Sequence, residues 1–341
     1  MGTLAVDELA TARPMVPGEI PVIDFAPFLA GPVAEKRRVA KEIGRACEEV
    51  GFFYLTGHGV DQEGIDRVFA EARRFFAQPR EKRAETAATW DWYRGWVPPK
   101  EVGEDGRRGG LLETYRLMLD LPPDDPDVRA GRPLHLPNRW PADLPGFRDV
   151  VGGYIETLLG VSGDVLHAFA LALDLPETWF DDKFRKPLIQ LSLLHYPPLP
   201  ADAASDEMGA YPHTDEGAFT LLTQDTVGGL EVRLKTGEWI AAPLIPGAYI
   251  VNIGDMLMKW TNGRFTSTPH RVRNRSGRER YSVPFFMNPD YDVEIACIET
   301  CCGPGNPPKF APLHNGEHMR VFWETGMEYL RPRGDGGRPG V

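Results

Sequence analysis

The sequence predicts a mainly β protein with flanking helices and a double-stranded β-helix core of the jelly-roll or cupin type. From residue 188 onward, short apolar runs are separated by glycine-containing turn signals at 227–229, 235–237 and 261–263, a pattern that indicates strands. The same part of the chain contains two histidines and an aspartate that could share one metal ion. Many short strands around an inward-facing metal indicate a barrel of two sheets, with roughly eight strands.

Composition excludes several classes of function. The chain has 341 residues and a formal net charge of −11, whereas nucleic-acid phosphates are bound through clustered lysine and arginine. Its four cysteines are too few for a disulfide scaffold, and we find no apolar run near the roughly 20 residues of a membrane span. We therefore expect a cytoplasmic protein without nucleic-acid or membrane partners. The sequence assigns no oligomeric state and no role to Cys297, Cys301 and Cys302.

The N-terminal third of the chain has mostly helical patterns. Residues 1–18 are polar and are predicted to form a loose lead, and residues 19–120 a helical region that packs on the core. Apolar positions at helical spacing predict one helix over 35–50. A second helix is predicted from Asp61, which is a good N-cap residue, to Phe76.

An aromatic-rich segment follows over residues 90–110. Prolines, glycines and charges surround its notable side chains, which are Trp90, Trp92, Tyr93, Arg94 and Trp96. Packing of a loop onto the core is the ordinary explanation, but as a group these residues could line a substrate entrance. The arginine and the last tryptophan of this set are our candidate substrate contacts. Residues 111–121 then predict a strand, from which Tyr115 or Arg116 could reach the pocket.

Residues 121–330 are predicted to form the jelly-roll core together with two helices. A long helix over 147–173 has apolar residues on one face, and its glycines predict kinks or close packing. A second helix over 317–329 closes the core. Residues 331–341 are rich in glycine, arginine and proline and are predicted to be a disordered tail.

A candidate metal site begins at His213-Thr214-Asp215. The surrounding run, 211–224, is typical of a strand, a tight turn and a second strand, and side chains two apart on a strand share a face. His213 and Asp215 could therefore bind one ion, with His270 as a distant third ligand. Two imidazoles and a carboxylate on one side of a metal are expected in non-haem Fe(II) oxygenases. A cupin-like site with another metal is the alternative, and zinc would not support redox chemistry.

A second i, i+2 pair, Arg280 and Ser282, follows ten positions after His270. Both side chains would lie on one face of a strand. A guanidinium fork beside a hydroxyl is a common way to hold a carboxylate in a buried pocket. The sequence therefore predicts a metal site followed by a carboxylate clamp.

The ordered set of these motifs resembles the 2-oxoglutarate/Fe(II)-dependent oxygenases of the isopenicillin N synthase-like superfamily. Six residues carry the resemblance, which are Tyr196, His213, Asp215, His270, Arg280 and Ser282. Residues 20–24 and 51–55 resemble the helical lead-in of that family. The resemblance implies that the two histidines and the aspartate bind Fe(II), and that 2-oxoglutarate chelates this iron. Its far carboxylate would then meet the arginine, the serine and the tyrosine hydroxyl.

The same resemblance implies an activity. Such an enzyme uses O2 to oxidise a C–H bond of a small molecule, by hydroxylation, desaturation or cyclisation, with release of succinate and CO2. Phe286, four residues after Ser282, is a candidate pocket residue by this analogy, and Tyr211 and Glu216 flank the metal motif. The aromatic-rich segment suggests an amino acid or a natural-product intermediate as substrate.

Two other interpretations stay open on the sequence alone. Some relatives in this superfamily have a similar Arg-x-Ser pair without using 2-oxoglutarate, so the chain could be an Fe(II)-dependent oxidase. The clamp therefore predicts affinity for a carboxylate and not the identity of that carboxylate. A non-catalytic binding module on the same barrel is the second alternative, and three intact metal ligands argue against it.

Overall fold

Strands that are apolar on both faces make up the centre of the protein. The computed structural model describes residues 10–99, 112–198 and 208–330. The predicted tail and residues 100–110 of the aromatic-rich segment lie outside the described residues. In chain order the strands are β1 (Arg13–Pro14), β2 (Val22–Asp24), β3 (Phe52–Thr56), β4 (Gly95–Val97), β5 (Glu113–Met118), β6 (Gln190–Tyr196), β7 (Ala210–His213), β8 (Phe219–Gln224), β9 (Leu230–Arg233), β10 (Trp239–Ala241), β11 (Tyr249–Ile253), β12 (His270–Val272), β13 (Arg280–Met287), β14 (Glu294–Ile295) and β15 (Leu313–His314).

The helices confirm the periodicity of the sequence in most places. They are α1 (Ala26–Ala30), α2 (Val33–Glu49), α3 (Gln62–Phe76), α4 (Arg80–Ala84), α5 (Pro126–Arg129), α6 (Phe147–Ala172), α7 (Asp255–Trp260) and α8 (Asn315–Met327). The predicted cap of α3 is present, since the Asp61 side chain accepts a hydrogen bond from the backbone N–H of Gly64. The short helix α7 has too few residues to show a helical period, and the turn signal at 261–263 follows it instead of joining two strands.

Two sheets form the barrel. Within the described residues, the larger sheet has the order β2-β3-β11-β8-β13-β6-β5-β4, and the smaller sheet the order β1-β10-β9-β12-β7. Strand β13 lies near the middle of the larger sheet and pairs antiparallel with β6 and β8. Strands β14 and β15 form a separate pair. The double-sheet jelly roll predicted from the sequence is confirmed.

The alternation of side chains divides the apolar residues between two cores. On β3, Phe53 and Leu55 belong to the large core outside the barrel, which includes residues of α2, α3 and α6. Their neighbours Phe52 and Tyr54 belong to a smaller core between the two sheets. Because successive strand residues point to opposite faces, the larger sheet is buried on both sides. The interior face of this sheet carries the candidate site.

The N-terminal region is part of the barrel. Strands β2 to β5 all lie N-terminal to residue 120, and all belong to the larger sheet. The predicted division at residue 120 therefore does not coincide with a structural boundary. Residues 10–18 of the predicted lead are also held in place, because β1 pairs in parallel with β10 and Arg13 forms an ion pair with Glu19. These pairings join distant parts of the chain, so the local pattern does not reveal them.

The run from 211 to 224 differs from the expected hairpin. Strand β7 belongs to the smaller sheet and β8 to the larger one, so the chain crosses between the sheets at this point. Asp215 therefore lies in the crossing segment, just beyond the end of β7, and not on a strand. This position brings the candidate metal ligands to the mouth of the barrel.

Helix α6 corrects two expectations. By length and composition alone it could span a membrane, although 56% of its most apolar window is buried inside the protein. We expected no such stretch, but α6 packs against α2 and α3 as a core helix does.

The close-packing prediction for the α6 glycines is wrong, since a Cβ added at Gly152, Gly153, Gly160 or Gly163 would have open space.

Candidate active site

The two candidate histidines meet through strand pairing. In the smaller sheet His213 on β7 lies opposite His270 on β12, and their ring centroids are 4.3 Å apart. Asp215 Oδ1 lies 3.8 Å from His213 Nε2 and 3.6 Å from His270 Nε2. The three ligand atoms all lie within 4.8 Å of one another. One ion can therefore contact all three residues.

Backbone carbonyls orient both imidazole rings. His213 Nδ1 lies 2.7 Å from the carbonyl oxygen of Tyr211, and His270 Nδ1 lies 3.2 Å from that of Thr268. A carbonyl can only accept, so each Nδ1 carries the proton and donates it. Each Nε2 then presents its lone pair to the metal position, which is the usual arrangement of histidine ligands. Tyr211 thus contributes to the site through its backbone.

Two donors orient the Asp215 carboxylate. The Thr220 hydroxyl donates to Oδ2 at 2.6 Å, and the Asn252 side-chain amide donates to the same oxygen at 2.7 Å. Oδ1 is left to face the histidines. Burial by itself would raise the pKa of this carboxyl, but His270, His213 and the Asn252 amide hold the pKa well below its usual range. Asp215 is therefore an anion at neutral pH.

The crossing segment around Asp215 is held by the start of α7. The backbone N–H of Asp255 donates to the carbonyl of Asp215 at 2.7 Å, and that of Met256 donates to the carbonyl of Gly217 at 3.1 Å. Gly254 lies directly beneath this segment, and a Cβ there would clash with the Gly217 carbonyl oxygen. Only glycine permits this close approach.

The predicted clamp is assembled inside the barrel. Arg280 is 1% exposed, and its guanidinium donates to Ser282 Oγ at 3.0 Å and to Gln224 Oε1 at 3.1 Å. It also lies 4.6 Å from the centre of the Tyr196 ring, which β6 places opposite it. Burial raises the pKa of Tyr196, so its hydroxyl is a donor at neutral pH.

The clamp fits a ligand carboxylate. Among the described residues, the Arg280 guanidinium donates only to neutral groups, which are Ser282 Oγ, Gln224 Oε1 and the Gly228 carbonyl. It forms no ion pair with a carboxylate in that part of the chain. A buried cation without an anion is costly. A carboxylate that entered the clamp would meet the guanidinium, a serine hydroxyl and a tyrosine hydroxyl together.

A cavity of about 270 Å3 opens next to the candidate metal ligands. It lies between the interior face of the larger sheet and α8. Its walls include His213 and Asp215 on one side, Phe286 of β13 on another, and Met319 and Trp323 of α8 as a cover. The open side of the metal site therefore faces a largely apolar chamber of the size of a small organic molecule.

The candidate substrate residues divide into two groups. Phe286 and Glu216 line the cavity, and Glu216 accepts a hydrogen bond from His318 of α8. Arg94 and Trp96 do not line it. Arg94 donates to the carbonyls of Leu119 and Leu134, so it holds loops together.

Trp96 contacts a network on the outer face of the sheet. Its indole N–H donates to Glu113 at 2.9 Å, and His195 also contacts Glu113, at 2.7 Å. His195, next to Tyr196 on β6, therefore faces away from the barrel interior. Tyr211 is likewise absent from the cavity lining. Of the five candidates, Phe286 and Glu216 therefore line the cavity, and Arg94, Trp96 and Tyr211 do not.

Several site residues were missed in the sequence. Thr220 and Asn252 orient the aspartate, and Gln224 contacts the clamp arginine. A signal existed for Asn252, which is a polar residue inside the buried apolar strand β11. Buried polar side chains need partners, so such an interruption indicates a site. The residues of α8 that cover the cavity carry no comparable signal.

Comparison with known proteins agrees with this geometry. Two family models match the chain, the non-haem dioxygenase N-terminal domain described for morphine synthesis over residues 20–143 and the 2OG-Fe(II) oxygenase superfamily over residues 188–289. The 2-oxoglutarate-Fe(II) type oxidoreductase hxnY of Emericella nidulans is 37% identical over 308 residues, which cover 88% of each chain. The 2-oxoglutarate-dependent dioxygenase citB of Monascus ruber is 37% identical over 82% of this chain and 88% of its own.

Solved structures show the same similarity. A full-length protein of Neurospora crassa, solved in complex with alpha-KG, has a TM-score of 0.83 and 28% identity, with 92% of this chain and 98% of that chain covered. A putative 2OG-Fe(II) oxygenase family protein of Caulobacter crescentus has a TM-score of 0.80 and 33% identity, with 90% and 98% covered. The chain therefore belongs to the 2OG-Fe(II) oxygenase superfamily and is a 2-oxoglutarate- and Fe(II)-dependent dioxygenase.

Proposed function

We propose that this enzyme oxidises a C–H bond of a small ring compound that binds in the 270 Å3 cavity beside the metal ligands. The observation that carries this proposal is the arrangement of the donor set, with the Nε2 atoms and Asp215 Oδ1 converging on one position whose open side faces the cavity. In this proposal His213, Asp215 and His270 bind Fe(II). Bound Fe(II) and 2-oxoglutarate supply the oxidising chemistry, with release of succinate and CO2.

The surrounding residues have separate tasks. The carbonyls of Tyr211 and Thr268 accept from the two Nδ1 atoms and so direct both Nε2 atoms at the metal position. Thr220 and Asn252 keep one carboxylate oxygen of Asp215 directed there. The Arg280 clamp holds the far carboxylate of 2-oxoglutarate, so the cosubstrate is oriented before the substrate binds. Holding reactants in place in this way accounts for much of the catalysis expected at such a site.

The cavity supports a flat, compact substrate. Phe286 and Trp323 present aromatic surfaces to it, and Met319 adds an adaptable apolar one. The same Neurospora crassa protein has been solved in complex with alpha-KG and thymine, and in that structure it shares 27% identity with this chain at a TM-score of 0.83. A small ring in the same position is consistent with that likeness. We further propose a cytoplasmic location, supported by four unbridged cysteines.

The test is to measure succinate formed and substrate consumed with purified protein, Fe(II), 2-oxoglutarate and O2. A library of small ring compounds is screened for those that raise succinate formation above the substrate-free rate. We expect one succinate for each substrate molecule oxidised, and no activity after chelation of the iron. Substrate oxidation without succinate would overturn the proposal in favour of a 2-oxoglutarate-independent oxidase.

A further inference from the structure

We propose that Arg116 anchors a carboxylate of the substrate, while the amide oxygens of Asn288 and Gln190 accept hydrogen bonds from an N–H or O–H group of the same molecule. The substrate class is thus a small ring carboxylic acid that also carries a hydrogen-bond donor. This inference rests on the proposed function above, since it concerns the cavity beside the same metal site.

Arg116 is a cavity residue whose charge meets no carboxylate among the described residues. Its side chain lines the cavity, and its Nε is buried without a hydrogen-bond partner in that part of the chain. Its Nη1 lies 3.1 Å from the sulfur of Met327, which is only a weak acceptor. Burial lowers the pKa of Arg116, so the surroundings disfavour its charged form until an anion arrives.

Two fully buried arginines of this protein have internal partners, whereas Arg116 is partly buried. Arg94 donates to two backbone carbonyls, and Arg271 pairs with Glu231. Neither residue lines the cavity. Arg116 resembles Arg280 in lying on the interior side of the larger sheet without a carboxylate partner among the described residues. It differs from Arg94 because its Nε has no hydrogen-bond partner in that part of the chain. We assign Arg280 to the cosubstrate, which leaves Arg116 for a second carboxylate.

The two arginines are too far apart along the sheet to share one carboxylate. Arg280 lies opposite Tyr196, whereas Arg116 lies opposite Ser192 of the same strand, β6. Four residues separate these positions, which corresponds to about 13 Å along a strand. They also lie on strands on opposite sides of β6. The cavity is at the Arg116 end, as its lining shows.

Two buried amide oxygens at the same cavity have no hydrogen-bond partner among the described residues. Asn288 is 3% exposed, and its Nδ2 donates to the carbonyl of Leu188 at 3.0 Å. That carbonyl can only accept, so Oδ1 must point the other way, and this is the oxygen left without a partner. Gln190 is 6% exposed, its Nε2 donates to Ser192 Oγ, and its Oε1 is the second such oxygen.

The two amide oxygens and the arginine without partners indicate which groups of a ligand would bind here. An unpaired buried acceptor is costly, and each of these two becomes satisfied when a ligand supplies an N–H or O–H. Asn288 Oδ1 would lie 2.8 Å from a Cβ added at Gly217, so this acceptor is next to the metal-binding segment. Arg116 Cζ lies 5.2 Å from the centre of the Trp323 ring, so the guanidinium lies beside an aromatic wall of the cavity. A flat acid can bind between these points.

The experiment compares acids with their uncharged amides. The full-length protein is loaded with Mn(II) and saturating 2-oxoglutarate under nitrogen, so that the clamp is already filled. Calorimetry then measures the binding of benzoate, 4-hydroxybenzoate and indole-3-carboxylate, each beside its primary amide. We expect at least one acid to bind about tenfold or more tightly than its amide, as for a buried charge pair. No acid binding more tightly than its amide would overturn the inference.

Variants of Arg116 test whether this residue causes the preference for acids over amides. Arg116→Gln should remove the acid preference, and Arg116→Lys should keep part of it because the charge remains. Arg38→Gln, the same substitution at an exposed arginine on α2, is the control and should keep the full preference. An unchanged preference in Arg116→Gln would refute the assignment. A rise in the half-saturating concentration of 2-oxoglutarate in that variant would instead assign Arg116 to the cosubstrate and also refute it.

The same samples separate the two proposals. Wild-type protein that forms no succinate from 2-oxoglutarate with Fe(II) and any ring compound would contradict the proposed function. Wild-type protein that forms succinate but does not distinguish acids from amides would contradict only the inference about Arg116.

Discussion

The clamp can be tested by replacing Arg280 with methionine, which has a similar length and no charge. Arg280 is buried beside Ser282, Gln224 and Tyr196, so the guanidinium is the charge that a ligand carboxylate would meet. Removing one partner of a buried, hydrogen-bonded charge pair costs about 2–5 kcal/mol of binding free energy. Since 1.4 kcal/mol is tenfold, we expect the half-saturating 2-oxoglutarate concentration to rise roughly 30- to 4,000-fold.

The assay measures two affinities in the same protein. Succinate formation is titrated with 2-oxoglutarate, and Fe(II) binding is measured separately by competition with a chelator. We expect iron affinity to stay near the wild-type value, because His213, Asp215 and His270 do not contact Arg280 among the interactions described. Ser282→Ala removes one hydrogen-bond donor and should raise the 2-oxoglutarate requirement only about tenfold or less.

Stability provides an independent check. Without 2-oxoglutarate the buried guanidinium meets no anion in the described part of the chain. Arg280→Met removes this unpaired charge but also the donor to Gly228, Ser282 and Gln224, so we expect the unfolding temperature to change little. Excess 2-oxoglutarate at 100 times its Kd should stabilise the wild type by about 2.7 kcal/mol and the variant much less. Arg278→Met, at an exposed arginine just before β13, is the matched control. Equal loss of iron and 2-oxoglutarate binding in Arg280→Met would refute this division of labour.

Three further substitutions test the metal site. His213→Ala should abolish iron binding and turnover together, as measured by metal content and succinate, and retained activity would remove this residue from the ligand set. Asn252→Leu leaves Asp215 with one of its two donors, so iron affinity should fall about 10- to 100-fold in a chelator competition, and wild-type affinity would show that this amide is dispensable. Gly254→Ala places a Cβ against the Gly217 carbonyl oxygen, so we expect roughly 1–3 kcal/mol of destabilisation and weaker iron binding. Wild-type thermal stability in this variant would mean that the segment can move aside without penalty.

The local pattern of the sequence indicated the His213-x-Asp215 pair as candidate metal ligands and Arg280 with Ser282 as a candidate clamp. Asp215 lies beyond the end of β7, and only the pairing of β12 with β7 brings His270 to this pair. Strand residues two apart share a face, so Arg280 and Ser282 could be paired from spacing alone, and the structure brings both to one pocket. The helices were equally readable, since a period of 3.6 residues in the apolar positions identifies α2, α3 and α6. The strand spacing and the helical period both involve residues close together in the sequence, so both can be recognised without knowledge of the tertiary structure.

The tertiary structure decided which distant strands meet and therefore what each interior residue faces. Arg94 and Trp96 are residue types that often line pockets. In the structure, however, Arg94 donates to a backbone carbonyl and Trp96 donates to Glu113 on the outer face of the sheet. Arg116, on β5, and Gln190, on β6, enter the cavity because long-range pairing places β6 beside β13 and β5 on the other side of β6. Alternation tells which residues share a face of a strand, but only the pairing of the strands determines which face is the interior and which side chains surround the substrate.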